Sequence, residues 1–222
     1  MTLYLFPNLL WMGADHQAFL PSTVGEAVQK IDGLIAESDK GGRRFLSRFR
    51  KDAQRVPIAL SREKVDFLLE PLLEGESWGI VSDAGLPCVA DPGSQLVAKA
   101  RKQNIEIQAF SGPCSITLAL MLSGFSGQSF TFHGYIAKDP DTRKQELLKW
   151  EKESGVQIFI EAPHRNQHTL KACLSLLDPK TELCIASNLT APNQQIIAKR
   201  VGSWKEIELA KEPTIFLFRK SI

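Results

Sequence analysis

The stretch Gly79-Ile80-Val81-Ser82-Asp83-Ala84-Gly85-Leu86-Pro87-Cys88-Val89-Ala90-Asp91-Pro92-Gly93-Ser94 decides the architecture. It opens on a short apolar run of the kind that forms a buried strand, and residues 82–87 then make a Gly/Pro turn. Asp91 and Pro92 read as the N-cap and first residue of a helix whose apolar spacing runs over 94–101. A strand that ends in such a turn and is answered by a helix places bare backbone N–H groups and carboxylates at the carboxyl edge of a sheet. That edge is where open α/β sheets bind small ligands.

Working outward, the same alternation repeats. Toward the N-terminus, strands are expected over 3–6, 33–36 and 56–60. Helices are expected from the capping-box pattern Thr23-Val24-Gly25-Glu26 to about Ile31, over 43–50, and after Ser61, where Val65, Leu68, Leu69 and Leu72 have helical spacing. Toward the C-terminus a strand over 105–110 leads to a second small-residue turn, Ser111-Gly112-Pro113-Cys114-Ser115, with a helix from Pro113 through Leu122. This β/α order predicts a mostly parallel sheet with helices on both faces. Beyond it come strands over 130–135, 156–160 and 182–186 with helices over 142–152 and 165–176 between them. The last two strands, 195–198 and 214–219, have no clear helix between them, which predicts a mixed sheet. The expected organisation is two α/β domains, 1–112 and 113–222. The segment 8–21, with Trp11, Met12 and Phe19, is unusually apolar for a loop and reads as a lid, a dimer contact or a packed loop.

Composition bounds the rest. The 222 residues are 43% hydrophobic and 23% charged, ordinary for a globular protein, and a net charge of +2 carries no global argument for nucleic acid. The four cysteines, Cys88, Cys114, Cys173 and Cys184, form no C-x-x-C pair and read as reduced packing residues of a cytosolic protein. The start lacks a basic leader, and no apolar run reaches the ~20 residues that a membrane helix needs. A soluble, unsecreted, cytoplasmic protein is expected. His164 and His168 stand four apart, but Arg165 occupies the glutamate position of an HExxH motif, so no metal is expected. His133 reads as a hydrogen-bonded, partly buried strand residue. Residues 40–64 carry nine lysines and arginines (Lys40, Arg43, Arg44, Arg48, Arg50, Lys51, Arg55, Arg62, Lys64) against Asp52 and Glu63. Such a run is either a solvated face or a set of phosphate contacts.

Taken together, VSDAGLPCVADPGS and SGPCS resemble the tetrapyrrole methylase superfamily of S-adenosylmethionine-dependent methyltransferases. Within it the chain is most similar to the small-subunit ribosomal RNA 2′-O-ribose methyltransferases, whose members read VSDAGTP..SDPG and then PGPCA. Ala36-Glu37-Ser38-Asp39-Lys40 stands where that family has AEDTR, Phe132-His133-Gly134-Tyr135 resembles its F-x-G-F/Y strand, and Ile158 to Arg165 resembles its IFYES.HR segment. Ala186-Ser187-Asn188-Leu189-Thr190 stands where the family has ARELT. The chain departs from the pattern at Phe6 to Leu10, which lacks the glycine of TPIGNL, and at Ser38, Ser61 to Lys64, Leu86, Ser187 and Asn188. The resemblance is to a short member of the family, expected to lack the C-terminal extension of the longer ones.

The resemblance implies two α/β domains with a cofactor cleft between them, the N-terminal sheet mostly parallel and the C-terminal one mixed. It implies S-adenosylmethionine held by Ser82, Asp83, Ala84, Gly85, Ser115, Ile116 and Thr117, with Ala162, Leu189 and Pro213 on the adenosine side. It implies methylation of a cytidine ribose hydroxyl in ribosomal RNA or the small ribosomal subunit by a homodimer, and the apolar segment 8–21 is the stretch expected to form part of its contact. A ribose hydroxyl is a poor nucleophile, so a general base is sought among Asp83, Asp39, Glu37 and Glu161, each of which also fits a turn-capping role. Lys40, Arg43 and Arg44 are the expected RNA contacts. The alternatives are a tetrapyrrole or other small-molecule methylase, and a catalytically silent S-adenosylmethionine-binding or RNA-interaction protein.

Overall fold

Five strands, β1 (Thr2–Leu5), β2 (Gly33–Ala36), β3 (Ile58–Leu60), β4 (Trp78–Val81) and β5 (Glu106–Ala109), build the first sheet of the computed structural model, which describes residues 1–205 and 207–220. They lie in the order β3-β2-β4-β1-β5 and every pairing is parallel. The connecting helices are α1 (His16–Phe19), α2 (Ser22–Val28), α3 (Asp39–Ser47), α4 (Val65–Leu73) and α5 (Ser94–Lys102). Side chains alternate between the two faces of a strand, so each strand feeds two cores. Tyr4, Phe6, Leu34, Ala36 and Val81 meet Val24 and Val28 of α2 and Phe45 and Leu46 of α3. Leu3, Ile35, Trp78 and Ile80 meet Leu68, Leu69 and Leu72 of α4 and Leu96 and Ala100 of α5. Burial of each Val, Leu, Ile or Phe among them contributes about 1.5–3 kcal/mol. These elements belong to one unit, Met1–Cys114.

The second unit begins at Ser115. It contains α6 (Ser115–Ser123), β6 (Phe130–Tyr135), α7 (Pro140–Trp150), β7 (Val156–Glu161), α8 (Asn166–Leu176), β8 (Glu182–Ser187), β9 (Gln195–Arg200) and β10 (Thr214–Arg219). The strand order is β6-β7-β10-β8-β9, with β6 and β7 parallel and the other pairings antiparallel. Leu147 and Trp150 of α7 and Leu170 and Cys173 of α8 pack with Phe159, Ile185, Phe216 and Phe218, while α6 contacts β8, β9 and β10. His133 stacks on Trp150 at 4.0 Å and shares a 2.7 Å hydrogen bond with Gln157. Among the described residues no helix is long and apolar enough to cross a membrane, and none of the four cysteines forms a disulfide.

Several element starts differ from the sequence expectation, and of α2, α3, α4, α5 and α7 only α3 and α7 have a side chain that supplies the cap. Helix α2 begins at Ser22 after Pro21, and no side chain caps it, so Thr23 forms no capping box. Helix α3 begins at Asp39 rather than Arg43, because the Ser38 hydroxyl accepts from Gly41 N at 3.0 Å. Helix α4 follows Lys64 without a side-chain cap, and Ser61 lies on the strand side of the turn, its N–H donating to Ala36 O. Helix α5 starts after Gly93, whose φ of 128° suits glycine. Asp91 and Pro92 therefore precede the helix rather than begin it. Helix α6 starts at Ser115, two residues after Pro113, and α7 at Pro140, where the Asp139 carboxylate caps Thr142 N at 2.8 Å. The segment 8–21 contains the one-turn helix α1, capped by Asp15.

Candidate functional site

In the first sheet, the chain leaving β1 crosses to β2, beyond β4, and the chain leaving β4 crosses to β5, beyond β1. The two connections run on opposite faces of the sheet, through α2 and through α5, and ligands of open α/β sheets bind outside the carboxyl ends of such strands. Asn8 lies at this edge and braces the turn that follows β4. It is 1% exposed, and its Nδ2 donates to Ser82 O at 2.9 Å and to Asp83 O at 3.1 Å. Its backbone N–H donates to Gly85 O at 2.7 Å, and its Oδ1 accepts from Leu9 N at 2.9 Å and from Arg48 Nη1 at 3.1 Å. One buried amide thus sets the path of the turn 82–85. Gly112, in the neighbouring loop after β5, is required by a close approach: a Cβ there would stand 2.1 Å from Pro7 Cβ.

Acidic residues flank the turn 82–85. Asp83 N donates to Glu37 Oε2 at 3.0 Å, joining residues 46 apart in sequence, and Ser38 Oγ donates to Asp83 Oδ1 at 2.8 Å. The Asp83 carboxylate lies against Gly41, where a Cβ would come within 1.9 Å of its Oδ1. Asp91 is half-buried nearby. Burial first, and then the Glu37 charge, raise its pKa to about 6; a hydrogen bond with Ser82 opposes the shift and the Asp83 charge adds to it. Burial and the Asp91 charge also push the Cys88 thiol up. The β4–α5 connection is conformationally demanding, with Cys88 at φ 68° and Ala90 at φ 64°, a region costly for side chains bearing Cβ. Ser82, Asp83, Ala84, Gly85 and Glu37 therefore come together, with Ser82 and Gly85 buried and Asp83, Ala84 and Glu37 exposed. Asp39 is exposed and lies one turn from Arg43, 3.6 Å from its Nε.

In the second unit, Ala162, Leu189 and Pro213 gather at one end of the mixed sheet. Thr214 pairs with both Glu161 and Ser187, and Asn188 N donates to Pro213 O at 3.0 Å. Asn188 and Thr190 adopt φ of 51° and 70°, so Leu189 is held between two left-handed residues. Behind them Glu161 is a structural carboxylate. Its Oε1 accepts from Ala162 N at 2.7 Å and from Arg165, and its Oε2 accepts from Thr169 Oγ1 at 2.9 Å. Burial raises its pKa, yet the hydrogen bonds from Arg165, Ala162 and Thr169 outweigh that and leave it lowered. Both its oxygens are engaged and it is 3% exposed. Ser115, Ile116 and Thr117 form the first turn of α6, with Ile116 buried and Thr117 exposed. His164 and His168 are both exposed, and no cluster of metal-ligating groups occurs among the described residues.

The basic run divides into two kinds of residue. Lys40, Arg44, Lys51, Arg55, Arg62 and Lys64 are exposed. Three arginines are turned into the structure instead. Arg43 Nη1 donates to Ala53 O at 2.9 Å and Val56 O at 2.6 Å, and Arg50 joins Asp52 to Val28 O and Ile31 O. Arg48 bonds Asn8 and Met12. Arg43 thus ties the middle of α3 to the loop before β3, and Lys40 and Arg44 are the exposed members of the expected RNA set. Asn8, Ser38, Gly41 and Asp91 were not expected in these roles. The pattern Ser38-Asp39, a capping serine before an acidic first turn, was a legible signal for the helix start; Asp91 was marked only as a cap, and nothing local marked Asn8.

Paired with this architecture, solved methyltransferase structures show the fold class. The methyltransferase CobJ matches with a TM-score of 0.63 at 16% identity, over 97% of this chain and 92% of its own. Uroporphyrin-III-C-methyltransferase from Thermus thermophilus matches with a TM-score of 0.60 at 14% identity, over 99% and 94%. The sequence profile of the tetrapyrrole (corrin/porphyrin) methylases matches residues 20–204, and the chain belongs to that family. Its relatives include proteins named ribosomal RNA small subunit methyltransferase I. The one from Thermotoga maritima is 30% identical over 80% of this chain and 80% of its own, and that from Vibrio cholerae serotype O1 is 32% identical over 74% and 58%. The chain therefore spans less than two thirds of the Vibrio relative's length.

Proposed function

We propose that this chain is an S-adenosylmethionine-dependent methyltransferase that methylates small-subunit ribosomal RNA at the ribose 2′-hydroxyl of a cytidine. The observation that carries the reading is the acidic, Asn8-braced turn 82–85 at the sheet edge of a chain whose relatives bear the name of that RNA enzyme. The proposed cofactor contacts are Ser82, Asp83, Ala84 and Gly85 in the first unit and Ser115, Ile116, Thr117, Ala162, Leu189 and Pro213 in the second. The donor set fits: Glu37, Asp83, Asp91 and the carbonyls of the turn suit a sulfonium cation, and small residues let it approach the backbone. When bound, S-adenosylmethionine supplies an activated methyl group on sulfur.

The chain's own work is positioning and proton removal. Asp83 is the proposed base, taking the hydroxyl proton on its carboxylate while Ser38 Oγ and the Gly41 backbone hold that carboxylate in place. Glu37 orients Asp83 through its backbone N–H. Asp39, turned toward Arg43, is assigned to the helix start rather than to proton transfer. A positioned base contributes about 10²–10⁴-fold. Lys40 and Arg44 supply exposed phosphate contacts. The same reading carries a cytoplasmic homodimer, with Trp11 and Phe19, 39% and 38% exposed, in its contact.

The test is incubation of methyl-labelled S-adenosylmethionine with deproteinised ribosomal RNA and, separately, with free small subunits, followed by mapping of the label. Label at a cytidine ribose, reduced at least a hundredfold in Asp83→Asn, supports the reading. Label confined to a small-molecule pool, or binding without any transfer, overturns it.

A further inference from the structure

Arg48 is the arginine of the basic run that the fold takes in without neutralising. Arg50 faces Asp52 and two backbone carbonyls, and Arg43 has Asp39 and two carbonyls. Arg48 is half-buried, yet among the described residues no carboxylate lies within ion-pair distance of it. Its Nη1 donates to Asn8 Oδ1, and its Nη2 is directed at the Met12 sulfur at 3.3 Å. A thioether is a weak acceptor, and a guanidinium carries five N–H groups, so much of its donor capacity is left for something else. The charge next to it has the same sign: Arg44, one helical turn back, is exposed and unpaired by any carboxylate among the described residues. Burial first, and then Arg44, push the Arg48 pKa down, as expected of a desolvated cation beside a like charge.

Two like charges four residues apart destabilise a helix, and a desolvated charge is ordinarily paired. The C-terminus of α3 offers only a partial negative charge. The arrangement is costly to the free protein and is relieved by an anion arriving from outside. The group that anchors Arg48 is Asn8, which also holds the carbonyls of Ser82 and Asp83. An anion there would sit beside the proposed reaction turn.

We infer that Arg48 and Arg44 form an anion site for a phosphodiester of the nucleic-acid strand that presents its sugar to the turn 82–85. The inference rests on the RNA reading of this site. Arg48 supplies the planar, pre-set fork for a phosphate and Arg44 the solvent-side charge. Arg48 also transmits the occupant's position to the Asp83 turn through Asn8.

The test is the salt dependence of fluorescent oligocytidylate binding to the whole chain, followed by anisotropy, in wild type, Arg48→Gln, Arg44→Gln and Arg101→Gln. Glutamine at 48 can still donate to Asn8 Oδ1, and Arg44 is exposed, so both variants retain the fold's contacts; urea midpoints check this. Arg101, on α5, makes the same charge change elsewhere. Each of the first two variants should lower the slope of log affinity against log salt by about 0.7, which is about fivefold in affinity at 0.1 M salt, while Arg101→Gln keeps the wild-type slope. A wild-type slope in Arg48→Gln, an equal loss in Arg101→Gln, or no binding by wild type overturns the site. If Arg48→Gln keeps the wild-type slope while ribosomal RNA is methylated, the site fails and the enzyme reading stands. If the slope falls but no RNA is ever labelled, the anion site stands and the enzyme reading fails.

Discussion

Asp91→Asn should make the protein more stable at neutral pH and leave it unchanged in acid. Asp91 is half-buried in the β4–α5 connection, and its pKa is raised from 3.8 to about 6, first by burial and then by the Glu37 charge. A displacement of that size would be worth about 3 kcal/mol in a fully buried group; with about half of Asp91 open to solvent, screening reduces the penalty on the ionised side chain to about 1–2 kcal/mol. The sign follows from proton counting. Between 3.8 and about 6 the folded protein retains a proton that the unfolded chain has released, so this group makes stability fall as pH rises through that window. Asparagine has nothing to ionise and resembles the protonated acid. The variant should match wild type near pH ~4 and exceed it by about 1–2 kcal/mol at pH ~7.5.

The assay is urea denaturation at intervals across that range, read as the difference between the two proteins. Taking the difference removes the opposite contribution of Asp52, Asp139 and Glu161, whose pKa values are lowered. Glu37→Gln removes the larger of the two neighbouring charges named for Asp91, so it should move the inflection of the wild-type curve toward acid. A stability difference that stays flat from pH ~4 to ~7.5, or a variant that is weaker at the upper end, refutes the account of a strained carboxylate at this sheet edge.

Other expectations follow from single contacts. Asn8→Ala removes the donor from two carbonyls and the acceptor from Leu9 N and Arg48, and should cost about 2–4 kcal/mol by chemical denaturation; a loss under about 0.5 kcal/mol means the turn holds without it. Gly41→Ala drives a Cβ into Asp83 Oδ1. Methyl transfer should drop at least about tenfold while the helix itself gains up to about 1 kcal/mol in propensity, and full activity would show that Asp83 is free to move. Cys173 and Cys184 have thiol pKa values pushed up to about 12 by burial, so a disulfide reagent at pH ~8 should leave them untouched until urea is added. Rapid native labelling of either contradicts the packing described for β8 and α8.

How far the sequence could be read depended on the range of the interaction. Hydrophobic periodicity is local, so β2 and β4 fall at the expected residues and the late strands at 195 and 214 announced the mixed sheet. Caps are local too but compete: Ser38 won the start of α3 over Arg43, and Gly93 displaced Asp91 because its left-handed backbone ends the loop. The second turn, at Gly112, was legible as small residues; that its glycine makes room for Pro7 was not.

The order of apolar and punctuating residues was enough to specify alternating strands and helices, the carboxyl-edge turn at 82–85 and the kinship to methylases, because these depend on neighbours along the chain. Only folding decided what each carboxylate and arginine faces. Glu37 meets the Asp83 backbone across 46 residues, Arg43 is taken up by carbonyls, and Arg48 is left as a desolvated cation beside Asn8. Charge and hydrogen-bond energies depend on distance and burial in space, and no spacing along a chain encodes either.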